Sequence, residues 1–200
     1  MNLTTWLNDA EVGAEPSAEY ASLSAGAGVW VRDSWHVRQM SGADRVEFLH
    51  KYCTQEVRVE PGRGVYGCIL TIKGAMLGDL WVLVRDDDML VVTPPAATEG
   101  LFKHLSRYAL FDKVDLTDVS SERVVISVWG PTAQAALAAI GAPSPSGDAQ
   151  LDHCTAQWEG SELVVARNDF AGLPGWDLIV LREGAVTLLN ALADADAKPV

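Results

Sequence analysis

A succession of short apolar segments joined by tight turns limits what this chain can fold into. Segments 65–72 and 76–85 are strand-like and are separated by Lys73-Gly74, a dipeptide typical of a hairpin tip. Segment 89–93 is a third strand-like run, and it stops at a pair of prolines. Helical patterns interrupt the strands further along the chain without strict alternation. The sequence therefore predicts an α+β fold with antiparallel or mixed sheets, and it disfavours a doubly wound parallel sheet.

Composition excludes several classes of function. The 200 residues are 48% hydrophobic, and 27 acidic against 15 Lys and Arg side chains give a net charge of −12. Because such a surface repels phosphate backbones, we expect no DNA partner, and the charge disfavours contact with tRNA. No apolar run reaches the roughly 18–20 residues of a membrane span, and the N-terminus lacks the pattern of a signal peptide. We expect a cytoplasmic protein without a membrane segment.

Two local patterns concern the first fifty residues. Segment 8–28 is rich in Ala, Ser, Gly and Glu with little periodicity, so we expect residues 1–28 to be a loosely ordered lead-in. Ser41 is followed three positions later by Asp44, which resembles a capping box with Asp in the place of Glu or Gln. This spacing predicts that a helix begins there with Ser41 as its cap.

Cysteine and histidine patterns give little support for a metal site. His50 and Cys53 lie three residues apart on the predicted helix, a spacing at which two side chains can meet one ion. No second pair accompanies them, so a buried thiol and a surface histidine are the favoured interpretation. The odd count of three cysteines, with no C-x-x-C pair, is typical of reduced thiols. We expect no bound metal.

The segment around Asp79 is the most informative part of the chain. Strand alternation places Leu77, Asp79, Trp81 and Leu83 on one face. A carboxylate between Leu and Trp on an inward face is costly unless a polar or cationic group pairs with it, which would indicate a functional residue. Alternatively, this face is the solvent side and Asp79 lies at its edge. The pattern alone leaves both interpretations open.

Five motifs, in order, match a known superfamily. They are MSGADRVEFL at 40–49, TQEV at 54–57, GVYGCILTIKGAMLGD at 64–79, LSRYALFDKV at 105–114 and GPTA at 130–133. With these motifs, the run 29–133 resembles the superfamily of the glycine-cleavage aminomethyltransferase (T-protein) and the folate-binding YgfZ proteins. Residues 150–193 resemble it more loosely.

The resemblance implies a tetrahydrofolate site. At the position of Asp79, the catalytic members have an Asp that serves the folate amine and the transferred one-carbon unit, and at the position of Tyr66 a Tyr lines the pterin side. Trp81 and Leu77 would shape the pocket. Lys73 could meet the glutamate tail of folate, although a solvated hairpin tip is the simpler interpretation of this lysine. A pterin suits such residues because it has a flat ring and an edge that a carboxylate can bind in a bidentate way.

Departures from the enzyme pattern bear on the branch of the superfamily. Gly78 stands at the first Asp of a D-D pair, residues 93–96 (TPPA) replace an N-A-x-N, and Leu173 occupies the place of an expected folate-contacting Glu. These departures favour a YgfZ-like tetrahydrofolate-binding protein, a non-classical factor in iron–sulfur protein maintenance or tRNA modification that could meet a protein partner. One alternative is a tetrahydrofolate-dependent aminomethyl or methyl transferase with Asp79 as its catalytic residue. The second alternative is a non-enzymatic interaction module with a decayed folate pocket.

The resemblance also implies a domain organisation. Two interleaved subdomains are expected, one formed by 1–44 with 119–200 and the other by 45–118. The C-terminal barrel of the family and the K-G-C-x-x-G-Q-E segment of the YgfZ branch are absent from these 200 residues.

Overall fold

The computed structural model describes residue 3, residues 16–170 and residues 172–200 of the chain. Over that part, the structure has mixed α and β elements in two sheets, which confirms the predicted α+β class. The chain divides into two compact units. The first comprises 1–33, 122–148 and 154–200, and the second comprises 34–121 and 149–153.

The first unit is built on a six-stranded sheet in the described part of the chain. Its order is β11-β1-β7-β10-β9-β8. The β1–β11 pair is parallel, and the β1–β7, β7–β10 and β10–β9 pairs are antiparallel. Its strands are β1 (Ala27–Arg32), β7 (Arg123–Trp129), β8 (His153–Trp158), β9 (Ser161–Arg167), β10 (Gly175–Leu181) and β11 (Ala197–Pro199). Its helices are α1 (Pro16–Ala25), α4 (Ala133–Ala139) and α5 (Arg182–Asp194).

Alternation along the strands directs one face of this sheet into a hydrophobic core. Ile126 and Val128 of β7 are fully buried there, and so is Leu178 of β10. Helix α5 packs on the same core through residues spaced at one helical face, Ala185, Leu188, Leu189 and Leu192. The opposite face of the sheet carries a different set of side chains, among them Trp30, Arg32 and Asp177.

The second unit contains a five-stranded sheet in the order β3-β4-β5-β2-β6, with antiparallel neighbours throughout. Its strands are β2 (His36–Ser41), β3 (Gly64–Leu70), β4 (Met76–Val84), β5 (Asp88–Thr93) and β6 (Asp115–Asp118). Its helices are α2 (Arg45–Tyr52) and α3 (Thr98–Tyr108). Phe48, Leu80, Val82 and Leu105 form part of its fully buried core.

Residues 16–28 form regular structure, where the sequence pattern predicts a loosely ordered lead-in. Residues Pro16–Ala25 form α1, and β1 begins directly afterwards at Ala27. Proline at the first helical position and the Ala, Glu and Leu content of this segment favour a helix, although its apolar periodicity is weak. The parts of the expected lead-in at 1–2 and 4–15 lie outside the described residues.

Helix α2 begins without the predicted capping box. Its N-cap residue is Asp44, whose side chain makes no capping hydrogen bond. Instead, the Asp44 carboxylate accepts a hydrogen bond from the Lys113 amide at 2.8 Å, and the Asp44 amide donates to the Lys113 carbonyl at 3.2 Å. The acidic residue therefore joins α2 to the segment before β6, and this long-range contact competes with local capping.

The boundaries of the two units differ from those expected for the subdomains. Strand β2 lies in the second unit, because it pairs with β5 and β6. Residues 149–153 also belong to the second unit. The backbone amide of His153 donates to the Gly62 carbonyl at 2.8 Å, and both carboxylate oxygens of Asp152 accept from Arg63 Nη1 at 2.9 and 3.0 Å. These contacts fix residues 149–153 within the fold of the second unit.

Burial of His153 gives this segment a predicted pH dependence. His153 is 5% exposed, and burial holds the pKa of its ring below the usual value. The charge of Arg85 also lowers this pKa, whereas hydrogen bonds to the Leu151 and Val84 backbone and the charge of Asp152 raise it. Because the unfolded chain binds the proton more readily, the contribution of neutral His153 to stability is present above the unfolded pKa near 6.5 and is lost as the pH falls below it.

We therefore expect the free energy of unfolding to decrease between pH 7 and pH 5, with His153 contributing up to about 1.4 kcal/mol per pH unit. Urea unfolding followed by circular dichroism at several pH values measures this slope. His153→Gln removes the titrating group and should flatten the slope over this interval. An unchanged slope in His153→Gln would show that other groups cause the acid sensitivity.

Candidate ligand-binding site

The β3–β4 hairpin brings together the main residues predicted from the sequence. In the antiparallel register, Tyr66 lies opposite Trp81 and Cys68 lies opposite Asp79. Directly opposed residues share one face of a sheet, so these four side chains lie on the same face. The alternate residues Leu80 and Val82 point into the core of the second unit. The hairpin therefore has one structural face and one face that carries a carboxylate, a phenol and an indole.

Asp79 is half-buried on this face, and it has a direct polar partner. The Tyr66 hydroxyl donates a hydrogen bond to Asp79 Oδ2 at 3.1 Å. Tyr66 is 38% exposed. Burial, followed by the hydrogen bond and the charge of Asp79, raises the pKa of Tyr66, so its phenol keeps the proton that it donates. The sequence left open whether Asp79 was inward-facing or at a solvated edge, and the structure places it beside a polar partner in a partly buried position.

An aromatic row continues from this pair across the sheet. The rings of Tyr66 and Trp81 have centroids 5.2 Å apart at 52°, and those of Trp81 and Trp35 have centroids 4.7 Å apart at 52°. Trp81 pairs with Val92, which pairs with Val37, so Trp35 reaches Trp81 across β5. Tilted contacts of this kind favour a stable ring arrangement, and they place an aromatic surface next to the Asp79 carboxylate.

Leu77 does not share the environment of Asp79 as strand alternation predicted. The β3–β4 register shifts between Ile69 and Leu70, where Ile69 pairs with Gly78 and Leu70 pairs with Met76. Leu77 is the extra residue of this bulge, and it packs against the core of the second unit. Lys73 is exposed at the hairpin tip, and its contact with a folate tail stays a prediction.

Two residues next to Asp79 and Trp81 were not singled out from the sequence. Trp35 precedes β2, and its contact with Trp81 depends on the order of strands in the sheet. Cys68 faces Asp79 across the hairpin, and Thr54 fixes this position: the Cys68 amide donates to Thr54 Oγ1 and the Thr54 amide donates to the Cys68 carbonyl, both at 2.9 Å. The alternation of β3 was the available signal for Cys68, since it lies two residues after Tyr66.

The two residues considered for metal binding, His50 and Cys53, have other surroundings than an ion site. His50 Nδ1 is 3.1 Å from Glu56 Oε1. The Cys53 thiol lies over Gly67, where an added Cβ would be 2.5 Å from Cys53 Sγ, and burial raises the pKa of Cys53. Over the described ranges, no three His, Cys, Asp or Glu side chains are grouped so as to hold an ion. Within the same ranges, no helix is long and apolar enough to cross a bilayer.

The whole-chain pattern matches a known family. The model of the GCVT N-terminal domain matches residues 4–199. The chain belongs to this family. An aminomethyltransferase from Parafrankia sp. is 27% identical over 177 residues, which are 88% of this chain and 48% of that protein. The chain spans about half the length of the curated relatives that it matches.

Solved structures share the fold of this GCVT N-terminal domain. Glycine cleavage system aminomethyltransferase T from Bartonella henselae superposes with a TM-score of 0.82 at 20% identity, covering 92% of this chain and 50% of that one. A chain of the heterotetrameric sarcosine oxidase from Corynebacterium sp. U-96 superposes with a TM-score of 0.64 at 16% identity, covering 90% of this chain and 89% of that one. At these identities the likeness concerns the fold.

Proposed function

We propose that this domain binds tetrahydrofolate at the surface formed by Tyr66, Asp79 and Trp81, and that it takes part in the transfer of a one-carbon unit, aminomethyl or methyl. The observation that carries the proposal is the Tyr66–Asp79 hydrogen bond beside the Trp81 ring. Membership of the GCVT family and the names of its curated relatives support it.

The side chains at this surface suit a pterin ring. An ionised carboxylate offers about four acceptor positions, so Asp79 can accept from Tyr66 and still accept from the N–H groups of a ring edge. Such a contact is charge-assisted and can be bidentate, which fixes the ring in its plane. Trp81 and Tyr66 provide aromatic surface against which a flat heterocycle can pack. When bound, tetrahydrofolate would supply the amine nitrogen that carries the one-carbon unit.

In this proposal the chain's own residues have separate tasks. Asp79 is the carboxylate that accepts a proton and balances positive charge at the amine. Tyr66 keeps its proton on Oη and holds Asp79 Oδ2, which leaves Oδ1 for the ligand. Trp35 supports the Trp81 ring from the side away from Tyr66. Orientation by a fixed neighbour is what a proton-handling group requires.

The YgfZ-like role in iron–sulfur protein maintenance or tRNA modification stays a prediction. Its basis is the set of sequence departures, including Gly78 and Leu173. The curated relatives are named aminomethyltransferases, which supports the transferase over the YgfZ-like role. A protein partner stays a prediction for either function; a structure with a similar fold, a chain of sarcosine oxidase, belongs to a heterotetramer.

Titration with tetrahydrofolate tests the proposal. We expect it to quench tryptophan fluorescence, because Trp81 and Trp35 lie at the site, and to raise the Tm, because a ligand that prefers the native state stabilises it. Asp79→Asn should weaken binding at least about tenfold, since a charge-assisted hydrogen bond contributes roughly 1.5–3 kcal/mol. Asp87→Asn is the matched control, because Asp87 is an exposed residue of the β4–β5 turn and the substitution removes the same charge.

The rate of one-carbon transfer to tetrahydrofolate separates the enzyme from a binding protein. In a transferase, Asp79→Asn should reduce the rate by a larger factor than it reduces affinity. A protein that binds tetrahydrofolate without any transfer would match the YgfZ-like interpretation. Saturating tetrahydrofolate that changes neither fluorescence nor Tm would exclude both and leave the non-enzymatic interaction module.

A further inference from the structure

Two large apolar side chains lie next to each other on the surface directly after α3. Leu110 is 78% exposed and Phe111 is 94% exposed, on a short 3-10 turn that continues the helix. On the other side of α3, Leu101 and Leu105 are fully buried in the core of the second unit. Single exposed apolar side chains are common on soluble proteins, whereas contiguous ones mark sites of interaction.

Contacts on both sides hold this turn in place. Tyr108, directly before it, stacks on Tyr52 of α2 with ring centroids 5.0 Å apart at 29°. Directly after it, the Asp112 carboxylate pairs with Lys51 of α2 at 2.9 Å. The two apolar side chains are therefore presented to solvent on a fixed segment. A surface that is already ordered loses less conformational entropy when a partner binds to it.

Two cations lie on the same exposed side of α3. Lys103 and Arg107 are one helical turn apart, both are exposed, and Leu110 follows Arg107 at helical spacing. Most of the 15 Lys and Arg side chains of the chain form ion pairs with carboxylates. Over the described residues, Lys103 and Arg107 form none. We call the surface of Lys103, Arg107, Leu110 and Phe111 the α3 patch.

Acidic residues near the α3 patch are few. The sequence has no Asp or Glu between residues 100 and 111. Asp112 follows directly, but its carboxylate already pairs with Lys51. Glu99 lies one turn before Lys103, at the other end of α3 from the apolar pair. The α3 patch is therefore positive and apolar, in contrast to the acidic chain as a whole.

The charges of the α3 patch and of the whole chain distinguish between kinds of partner. Symmetric pairing with a second copy would bring Lys103 and Arg107 against the same cations of that copy, which repel them. Nucleic acids and anionic membranes present negative charge over a wide area, and the net charge of −12 opposes their approach. A short acidic segment contacts the patch alone, so it gains from the two cations without meeting the acidic surface elsewhere.

We propose that the α3 patch binds an acidic segment of a partner protein, in which carboxylates flank one or two large apolar side chains. Those apolar side chains would pack on Leu110 and Phe111, because an aromatic side chain buried at the centre of an interface contributes much of its affinity. The carboxylates would pair with Lys103 and Arg107, whose guanidinium can bind a carboxylate in a bidentate way. Lys103 and Leu110 are about 10 Å apart along the helix axis, so a segment of roughly three or four extended residues covers the patch.

Selection from a phage library of random dodecapeptides tests the proposal on the full chain. The library is first depleted on Phe111→Ser, a substitution that the fold tolerates because this side chain is exposed, and is then selected on the unaltered chain. We expect the enriched peptides to combine acidic residues with aromatic or aliphatic ones. No enrichment, or enrichment of basic peptides or of peptides without apolar residues, would overturn the proposal.

Affinity measurements then test the role of charge. A fluorescein-labelled peptide from this selection should bind Arg107→Glu at least about tenfold more weakly than the unaltered chain, because an attractive contact becomes a repulsive one. Lys73→Glu changes the net charge by the same amount at the exposed hairpin tip and should leave the Kd unchanged. Ile72→Ser, at the same tip, is the matched control for Phe111→Ser. Equal Kd values for Arg107→Glu and Lys73→Glu would contradict the proposal.

Two further measurements address the other occupants. We expect the chain to stay in solution when vesicles of equal parts phosphatidylcholine and phosphatidylglycerol are sedimented, and to show no self-association in sedimentation velocity. Association in either experiment that Phe111→Ser abolishes would identify a membrane or a second copy as the occupant and overturn the proposal. Asp79→Asn should not alter peptide binding, because α3 packs on the face of β4 that carries Leu80 and Val82, opposite to Asp79. The outcome is therefore separate from that of the folate proposal.

Discussion

Replacing Asp177 by alanine is expected to lower the free energy of unfolding by about 3–5 kcal/mol, the usual cost of removing one partner of a buried ion pair. Asp177 is 7% exposed and Arg32 is 4% exposed, so the substitution leaves a buried guanidinium without its counter-charge. Ser127 and Asn168 lose their common acceptor as well. Equilibrium denaturation followed by circular dichroism measures the change.

Two comparisons isolate the cause of this loss. Asp33→Ala removes a carboxylate that pairs with Arg182 at the surface, where exposed pairs contribute only about 0–1 kcal/mol, so it should change stability little. The double variant Arg32→Met with Asp177→Leu replaces the pair by apolar groups and should recover much of the loss, because no uncompensated charge remains. A double variant less stable than Asp177→Ala would show that packing, and not the unpaired charge, causes the effect.

Local periodicity predicted that Asp79 and Trp81 share a face of their strand, whereas the choice of Tyr66 and Asp79 as candidate site residues depended on the family resemblance. Tyr66, Asp79 and Trp81 lie on one hairpin, and period-two alternation fixes which face each occupies. Leu77 departed from the pattern because a bulge adds one residue to β4 just before Gly78, and alternation carries no signal for such an insertion. Trp35 could not be placed, since its contact with Trp81 requires the order of β4, β5 and β2 in the sheet.

In the fold as well, elements set by local sequence were predictable and those set by long-range pairing were not. The strands joined by tight turns were predicted within a few residues because their turn chemistry is local. Strand β11 was not predicted: its three residues pair in parallel with β1 from the other end of the chain, and only that long-range pairing makes them a strand. The Arg32–Asp177 pair likewise joins residues 145 positions apart in the sequence. Charged residues within apolar strands signal that a partner exists, but not which residue it is.

Gly42→Ala is expected to lower the free energy of unfolding by about 3–4 kcal/mol, through two separate costs. Gly42 has a φ of +100°, a conformation that costs an L-residue roughly 1–3 kcal/mol. In addition, a Cβ would lie 2.1 Å from the Lys113 carbonyl oxygen. Moving that carbonyl away would break hydrogen bonds, because it accepts from the Asp44 amide and the Lys113 amide donates to the Asp44 carboxylate.

Gly74→Ala separates the backbone cost of this substitution from the steric one. Gly74 also has positive φ, +79°, but a Cβ there would meet no atom within 4 Å at the tip of the β3–β4 hairpin. It should therefore show the conformational cost alone, and urea unfolding should give a loss at least about 1–2 kcal/mol smaller than that of Gly42→Ala. Equal losses of stability in the two variants would mean that the backbone before α2 can move away from Lys113. The close contact between Gly42 and Lys113 would then not be a reason for glycine at position 42.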